Sequence, residues 1–366
     1  MLLYHVALSM AQGVGSITAR KLIGMAGGIE QVFMENSRSL RRIPGVGPLL
    51  AGRIRDPELL AMAAREMDFI GKNGIRVLCY TDEEYPCRLK QCHDAPLVLF
   101  IRGRMDLNPA KMLSVVGTRN PSDYGIHHTQ RIVRELAARH EDAVVVSGLA
   151  YGIDVCAHRS ALTAGMGTLA VLGHGFDHMY PGVHRSVAGR IEEKGALVTE
   201  FSSRIRPERS NFIRRNRIIA GISDATLVVE SGTRGGALIT AEMANSYNRE
   251  VFAVPGRIGD RRSAGCNRLL KTQRAMLAED ASDLEYILGW MPAEGSPVKR
   301  QTGLDRDLDS DEQVLVGILS DDRVHSIDTL CSRSGMPVSK VSSILLKLEF
   351  TGLVFCLPGN AYRICR

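Results

Sequence analysis

The pattern of apolar and polar residues divides the chain into three parts. Residues 1–66 show the three-to-four-residue apolar spacing of helices, and residues 67–288 alternate short apolar runs with helical stretches. Residues 309–366 return to a helical pattern that ends in two short apolar runs. Residues 289–308 have no apolar periodicity, and we predict that they form a linker.

The central part predicts an α/β fold, a Rossmann-like doubly wound and mostly parallel sheet. Continuous apolar strands that alternate with helices are typical of parallel sheets covered on both faces. The first two strands have no helix between them, so we expect them to extend one edge. The predicted strands are 75–80, 97–101, 112–117, 143–147, 168–172, 196–200, 225–230 and 251–254. The predicted helices are 126–140, 153–164, 187–194, 213–220 and 238–247.

The N-terminal part predicts a helical domain of the helix-hairpin-helix or SAM-like type. Two Gly-Val-Gly turns, beginning at Gly13 and Gly45, each directly precede a predicted helix. Such a turn can bring backbone amides to a DNA phosphate, but it can equally serve packing or protein contacts. Four basic residues would lie on or next to the helices after these turns: Arg20, Lys21, Arg53 and Arg55.

The C-terminal part predicts a winged-helix domain. Its third helix carries only Lys340 and Lys347 against Glu349, which is a small positive charge for DNA recognition. We therefore favour docking of a partner, or of another part of the chain, over DNA reading. The predicted helices are 312–319, 327–333 and 337–350, and the predicted wing strands are 353–357 and 362–364.

Composition narrows the class of protein only modestly. The chain has 366 residues with 45% hydrophobic and 23% charged residues, as in ordinary globular proteins. A net charge of +6 weakly favours an anionic partner. The first ten residues lack the basic segment of a signal peptide, and no apolar stretch has transmembrane length, so we expect a cytoplasmic protein without a membrane partner. The eight cysteines show no metal-ligand spacing, which favours buried free thiols over disulfides or zinc.

The turns after the predicted strands carry the candidate chemistry. They combine glycine, hydroxyl groups and arginine at positions where helix N-termini would offer backbone amides to phosphate. Residues 204–217 add six arginines against one acid, Glu208. For Arg119 we favour a phosphate-binding role over an ion-pair role, whereas Arg217 fits either role. The predicted DNA- or phosphate-binding residues are Gly117, Thr118, Arg119, Ser147, Gly148, Gly152, Arg185, Arg214, Arg215, Asn216, Arg217, Gly235 and Gly236.

An enzymatic site is less well supported by the sequence. The chain has no clean dinucleotide-binding fingerprint and no P-loop. Asp154 and His158 are one helical turn apart, and we expect Asp154 to orient its helix and to hold His158. No nucleophile, base and orienting group occur together, so we predict no catalytic residue and no metal ligand. The acid/base groups considered are Asp154, His158, His174, Glu200, Glu230 and Glu242.

The motifs, in their order, resemble the DNA-processing protein A family, also called DprA or Smf. The matching segments run almost continuously through 67–288 and include VVGTRNPSDYG, VVSGLAYGIDVCAHRSAL, FIRRNRIIAGISDATLVVES and GGALITAEMA. The resemblance implies a protein that binds and protects single-stranded DNA in natural transformation and loads the RecA recombinase. It also implies a homodimer without enzymatic activity or cofactor, in which Arg119 contacts DNA. The sequence departs from the family pattern at His184, Ile213 and Gly235.

Two other functions remain open at this point. One is a Rossmann-like nucleotide-binding enzyme such as a nucleoside-phosphate phosphoribohydrolase, because SGTRGGALIT resembles the phosphate turn of that group without its proline or its residue order. The other is a helicase-like or chromosome-architecture adaptor that acts through the terminal domains.

Overall fold

A computed structural model describes residues 1–290, 309–320, 324–350, 353–357 and 360–364. These residues form two compact units, one with the N-terminal helices and a nine-stranded sheet, the other with a three-stranded sheet. Residues 291–308 of the predicted linker lie outside the described residues. In the described part of the chain, no helix has both the length and the apolar character needed to cross a bilayer.

Six helices precede the large sheet. Gly13 and Gly45 begin the two predicted turns with φ of +89° and +91°, a conformation that favours glycine. The last helix starts with Asp56 as its cap and continues to Lys72, past the predicted domain boundary at residue 66, and it packs against the first helix. The helices are α1 (Leu2–Met10), α2 (Ser16–Ala26), α3 (Ile29–Met34), α4 (Ser37–Leu40), α5 (Pro48–Ile54) and α6 (Pro57–Lys72).

The large sheet confirms the predicted fold class. Its strand order is β1-β2-β6-β5-β4-β3-β7-β8-β9, and the strands from β3 to β9 run parallel. Strand β2 is antiparallel to both of its neighbours, so the first two strands extend one edge as predicted. The strands are β1 (Arg76–Cys79), β2 (Val98–Gly103), β3 (Lys111–Val116), β4 (Ala143–Ser147), β5 (Gly167–Val171), β6 (Ala196–Thr199), β7 (Ala225–Val228), β8 (Glu250–Ala253) and β9 (Met276–Leu277).

Helices cover both faces of this sheet, because side chains alternate between the faces along each strand. In β3, Leu113 and Val115 pack into a core with α8 and α9, whereas Met112 and Val116 pack into the opposite core with α11 and α12. Strand β9, α13 and α14 were not among the predicted elements. The helices are α7 (Cys87–Lys90), α8 (Asp123–Arg139), α9 (Ile153–Thr163), α10 (Arg185–Lys194), α11 (Arg209–Ile222), α12 (Gly236–Ser246), α13 (Ala264–Lys271) and α14 (Ala281–Leu288), with a 3-10 turn at Gly182–His184.

The second unit has the helices and the antiparallel sheet of the predicted winged helix. Helix α15 (Ser310–Leu319) begins with a capping box in which Asp309 and Glu312 bind each other's backbone amides. The other elements are α16 (Ile327–Ser334), α17 (Val338–Phe350), β10 (His325–Ser326), β11 (Val354–Leu357) and β12 (Ala361–Ile364). The described strands pair in the order β10-β12-β11.

The cysteine prediction is correct only in part. The seven described cysteines are free, and Cys79, Cys92 and Cys266 are buried. Cys87 and Cys356 are exposed, so the expectation that the thiols are buried is wrong for these two.

Candidate nucleic-acid interface

The parallel strands β3 to β8 all end at one edge of the large sheet. We call the connections that leave this edge the carboxyl rim: residues 117–122, 148–152, 172–184, 200–208, 229–235 and 254–263. Strand β3 lies between β4 and β7, so the order of the strands reverses at this point. Ligands of open α/β sheets bind in the crevice at such a switch point.

Arg119 stands at this switch point on a tightly fixed turn. A Cβ on Gly117 would lie 2.5 Å from Ile153 Cγ1, and a Cβ on Gly152 would lie 2.2 Å from the Thr118 carbonyl oxygen. Gly152 also has a φ of +80°. The Ile153 amide donates to that carbonyl over 3.2 Å. Only glycine permits this packing, and it leaves the Arg119 side chain exposed.

Arg215 lies beneath the rim and supports it. Its guanidinium donates to the Gly148 carbonyl over 2.8 Å and to the Val171 carbonyl, while Asp154 accepts from the Gly148 amide over 3.2 Å. Burial raises the pKa of Asp154 and lowers the pKa of Arg215 to about 10, although each charge partly offsets the other's shift. Arg215 is 3% exposed, so it stabilises the ends of β4 and β5 instead of meeting the surface as predicted.

Glu200 holds two further predicted residues. Its Oε2 accepts from Arg214 over 2.7 Å and from Arg217 over 2.6 Å. Arg217 also lies 3.8 Å from Asp94 and is buried, so it takes the ion-pair role that the sequence left open. The Arg214 side chain is 48% exposed and remains accessible from the rim.

The other predicted residues divide between the surface and the interior. Ser147 is buried and donates to the Val115 carbonyl over 2.6 Å, and buried Asn216 donates to the Gly236 carbonyl over 3.3 Å. Gly148 is buried, and Gly117, Thr118 and Gly152 are half-buried; Arg185, Gly235 and Gly236 are exposed.

Five helices begin at the rim without a side-chain cap, namely α9, α10, α11, α12 and α13, and α9 and α12 are the two whose cap residue is glycine. The caps of α9 and α12 are Gly152 and Gly235, and neither helix start receives a side-chain hydrogen bond. Unsatisfied amides at a helix N-terminus favour an anion. At α9, however, the Ile153 and Val155 amides already donate to the Thr118 and Ala150 carbonyls over 3.2 Å. In contrast, α8 begins with Ser122, whose hydroxyl accepts from the Gly125 amide and donates to Glu230.

The exposed charges of the rim are mostly positive. Seven arginines in the rim connections are exposed, against three acids. The arginines are Arg119, Arg204, Arg206, Arg234, Arg257, Arg261 and Arg262, and the acids are Asp177, Glu208 and Asp260. The last four of these arginines were not among the predicted residues. Three of them could have been predicted from the segment PGRIGDRR, because it is rich in arginine and directly follows a predicted strand.

The candidate acid/base groups have structural partners. His158 Nδ1 lies 2.7 Å from Thr168 Oγ1, so the prediction that Asp154 holds His158 is wrong. Burial lowers the pKa of His158 to about 3. Glu230 accepts from the Ser122 amide over 2.9 Å. Within the described ranges, no group of three or more His, Cys, Asp or Glu side chains could hold a metal ion.

The arginines near the N-terminal turns are also engaged. Arg20 donates to the His93 carbonyl and lies 4.8 Å from the centre of the Tyr80 ring. Arg53 donates to the Gln12 carbonyl over 2.9 Å, and Arg55 donates to the Phe33 carbonyl over 2.7 Å. These contacts fit the packing interpretation of the two turns.

Comparison with known proteins identifies the family of this chain. Residues 76–288 match the family model of DNA recombination-mediator protein A, and residues 299–360 match the DprA winged helix domain. Protein Smf of Escherichia coli K12 is 35% identical over 327 residues, which cover 84% of this chain and 85% of Smf. DprA of Streptococcus pneumoniae R6 is 37% identical over 203 residues, which cover 56% of this chain and 71% of that protein.

Two solved structures of relatives agree with the fold. The crystal structure of Streptococcus pneumoniae DprA has a TM-score of 0.67 and 29% identity, and covers 78% of this chain and 96% of its own. A Helicobacter pylori DprA structure, described for its single-stranded DNA binding mode, has a TM-score of 0.53 and 27% identity, with coverage of 59% and 96%. The chain therefore belongs to the DprA family of DNA recombination mediators.

Proposed function

We propose that this protein binds single-stranded DNA along the carboxyl rim and acts, without catalysis or cofactor, as a recombination mediator. The observation that carries the proposal is the row of exposed arginines around Arg119, which lies beside two uncapped helix starts. Guanidinium groups and free amides both bind phosphate. Binding of this kind is electrostatic and nearly independent of base sequence.

The shape of the rim favours a single strand over a duplex. Six strand ends from β6 to β8 follow one another at about 4.8 Å, which gives a track of about 24 Å. Tyr151 and Tyr180 are 43% and 41% exposed on this track, and their rings offer faces for unstacked bases. A duplex keeps its bases stacked inside and cannot use these faces.

The family, and not the geometry, supports the biological setting that we propose. The Helicobacter pylori relative binds single-stranded DNA, which supports the same ligand here. We extend the proposal to protection of incoming DNA in natural transformation, loading of RecA, a homodimeric state and a cytoplasmic location. None of these four rests on a contact within the described residues.

The contacts of the carboxylates weigh against the phosphoribohydrolase alternative. Glu200 and Glu230 are buried, and each accepts hydrogen bonds from neighbouring side chains, so neither meets a nucleotide at the rim. Release of free base from nucleoside monophosphates by the pure protein would support that alternative, and we expect none.

The proposed function is tested by competition between single- and double-stranded DNA across a salt series. We expect preference for the single strand and a linear fall of log affinity with log salt. Arg119→Ala removes one phosphate contact, so the salt slope should fall by about 0.7 for a single strand. Arg134→Ala is the matched control, because Arg134 is exposed in the body of α8.

Equal affinities of the wild type, the Arg119 variant and the control, with equal salt slopes, would remove Arg119 from the interface. Preference for the duplex in the wild type would contradict the proposed ligand and favour the adaptor hypothesis.

A further inference from the structure

Residues 255–263, in the connection between β8 and α13, form an exposed basic loop that we call the β8 loop. Arg257, Arg261 and Arg262 are exposed, and Ile258 is fully exposed with a relative accessibility of 101%. The loop has one acid, Asp260. The proposed function includes this loop in the carboxyl rim but assigns it no contact of its own.

The backbone of the β8 loop is held firmly, although its side chains point to solvent. Tyr124 donates its hydroxyl to the Pro255 carbonyl over 2.6 Å. Asn267 binds both backbone groups of Gly256, accepting over 3.1 Å and donating over 2.9 Å. These contacts fix the start of the loop at Pro255 and Gly256, and none of them uses an arginine side chain of the loop.

The charge of the three arginines is not neutralised. Asp260 accepts from the Arg262 amide over 2.9 Å and from the Ser263 hydroxyl over 3.3 Å, so its carboxylate is bound to the loop's own backbone and cap. The guanidinium groups of Arg257, Arg261 and Arg262 make no hydrogen bond or ion pair with any residue that the structure describes. Such a cluster on a rigid loop favours an anion.

A cavity of about 570 Å³ opens beside the arginines, large enough for a nucleotide. The Tyr124 ring forms one side of it, is 43% exposed and lies 4.2 Å from the ring centre of His128. An aromatic face next to free cations is the combination that binds unstacked bases and their phosphates. The cavity is lined by Tyr124, Pro255, Gly256, Arg257, Asp260 and Ser263.

The β8 loop continues the surface around Arg119. The Gly265 amide donates to the Ser231 carbonyl over 2.8 Å, and a Cβ on Gly232 would lie 3.5 Å from the Arg261 carbonyl oxygen. The loop thus packs against the turn that leads to Arg234. One strand, β7, separates the ends of β3 and β8, so these ends are about 10 Å apart. A stacked strand covers this distance in about three nucleotides.

We propose that the β8 loop is a second subsite, which holds about three further nucleotides of a single strand beyond Arg119. The three arginines bind consecutive phosphates, and the Tyr124 ring receives one base without reading its edge. The inference rests on the proposed function, since it requires a strand that already occupies the rim at Arg119.

The test is affinity for oligothymidylates from four to twenty nucleotides, measured by fluorescence anisotropy with the full chain. The variant is Arg257→Ala/Arg261→Ala/Arg262→Ala. Its control is Arg134→Ala/Arg190→Ala/Lys194→Ala, which removes the same charge from exposed positions in α8 and α10. Wild-type affinity should rise with length and level off at about seven nucleotides, since the rim is about 24 Å long.

The loop variant should level off about three nucleotides earlier and bind the twenty-nucleotide strand about ten-fold more weakly. Its salt slope should fall by about 2. Its affinity for the four-nucleotide strand should equal that of the wild type. The control should follow the wild type at every length. If the alanine variant does not fold, replacement of the same three arginines by glutamine provides the same test.

Two outcomes overturn the subsite. One is a loop variant that matches the wild type at every length, as expected of a loop that serves an acidic protein partner, and the other is an equal loss of affinity at every length. Arg119→Ala, measured in parallel, separates this failure from failure of the proposed function. If Arg119→Ala binds every length with wild-type affinity, the proposed interface itself is wrong. If Arg119→Ala loses affinity while the loop variant keeps it, only the subsite is removed.

Discussion

At the scale of single residues, arginine plays two opposite roles within a few ångströms of the rim. Arg119 is exposed on a turn that is fixed by glycines, and Arg215 is 3% exposed with its guanidinium bound to backbone carbonyls. The two charges are close enough for Arg119 to contribute to lowering the pKa of Arg215. The Asp154 carboxylate offsets the buried charge of Arg215, so the positive potential at the rim comes from Arg119 and the other exposed arginines.

We predict that Arg215→Met destabilises the fold by about 3–5 kcal/mol, because it leaves the Asp154 carboxylate buried without its cation. Urea unfolding measures the loss. The double variant Asp154→Leu/Arg215→Met should recover a large part of it, since no buried charge then remains. Arg119→Ala serves as the exposed control and should stay within about 0.5 kcal/mol of wild type. A loss below about 1 kcal/mol for Arg215→Met would contradict the structural role.

His158 makes the stability of the protein depend on pH. Burial lowers its pKa from 6.5 to about 3, so the unfolded chain binds a proton in this window and the folded chain does not. The stabilisation from the neutral ring is complete above pH 6.5 and declines as the pH falls. In His158→Gln this decline should be absent, so wild type should lose about 1.4 kcal/mol per pH unit relative to the variant below pH 6.

Urea unfolding at pH 7, 6, 5 and 4 checks this prediction. His127→Gln, at an exposed position in the same protein, is the control and should track the wild type. Parallel pH dependence of wild type and His158→Gln would contradict this prediction, because it would show that the ring binds protons equally in the folded and unfolded chains.

At the scale of elements, the strands and helices that have a periodic apolar face could be predicted from the sequence. The eight predicted strands of the large sheet, the paired first strands and the three helices of the second unit all occur, because each buries a continuous or periodic apolar face. Strand β9 has only two residues, so it left no periodic signal. Helix α13 is short but amphipathic, with Cys266, Leu269 and Leu270 on its apolar face, and this pattern was overlooked. Both elements pack against β8, which is close to each of them in sequence.

The site was harder to predict than the fold for the same reason. The turn of Arg119 was predictable, because glycine and a strand end stand next to it in the sequence. Arg214, Arg215 and Arg217 are near neighbours in sequence, yet helix α11 turns them toward different environments. Burial of the last two depends on Asp154 and Glu200, which lie on other elements. No local pattern reports such partners.

The two lysines of the winged-helix unit are already paired. Lys340 lies 2.6 Å from Asp311, and Lys347 lies 2.6 Å from Glu312, so both lysines of α17 are bound to acids of α15. We predict that Lys340→Ala/Lys347→Ala leaves single-stranded DNA affinity and its salt slope unchanged, because a neighbouring acid already offsets each of these charges. Anisotropy across a salt series checks it, and a slope reduced by about 1.4 would show that both lysines bind phosphate.

At the scale of the whole molecule, the distribution of charge matters more than its sum. A net charge of +6 spread over 366 residues would give only weak attraction for DNA. The rim instead gathers seven exposed arginines along one edge of one sheet. The carboxylates below the rim do not offset this charge at the surface, because they are buried and already accept hydrogen bonds from neighbouring groups.

One contact ties the N-terminal helices to this edge. Glu66 of α6 accepts from the Ser203 amide over 2.7 Å and from the Ser203 hydroxyl over 2.6 Å, and Arg204 and Arg206 follow directly. Removing the first 72 residues would remove this anchor and leave the Ser203 amide and hydroxyl without their Glu66 acceptor. Weaker DNA binding by such a shortened protein would then reflect a less ordered segment around Arg204 and Arg206, even if the removed helices never contact a nucleotide.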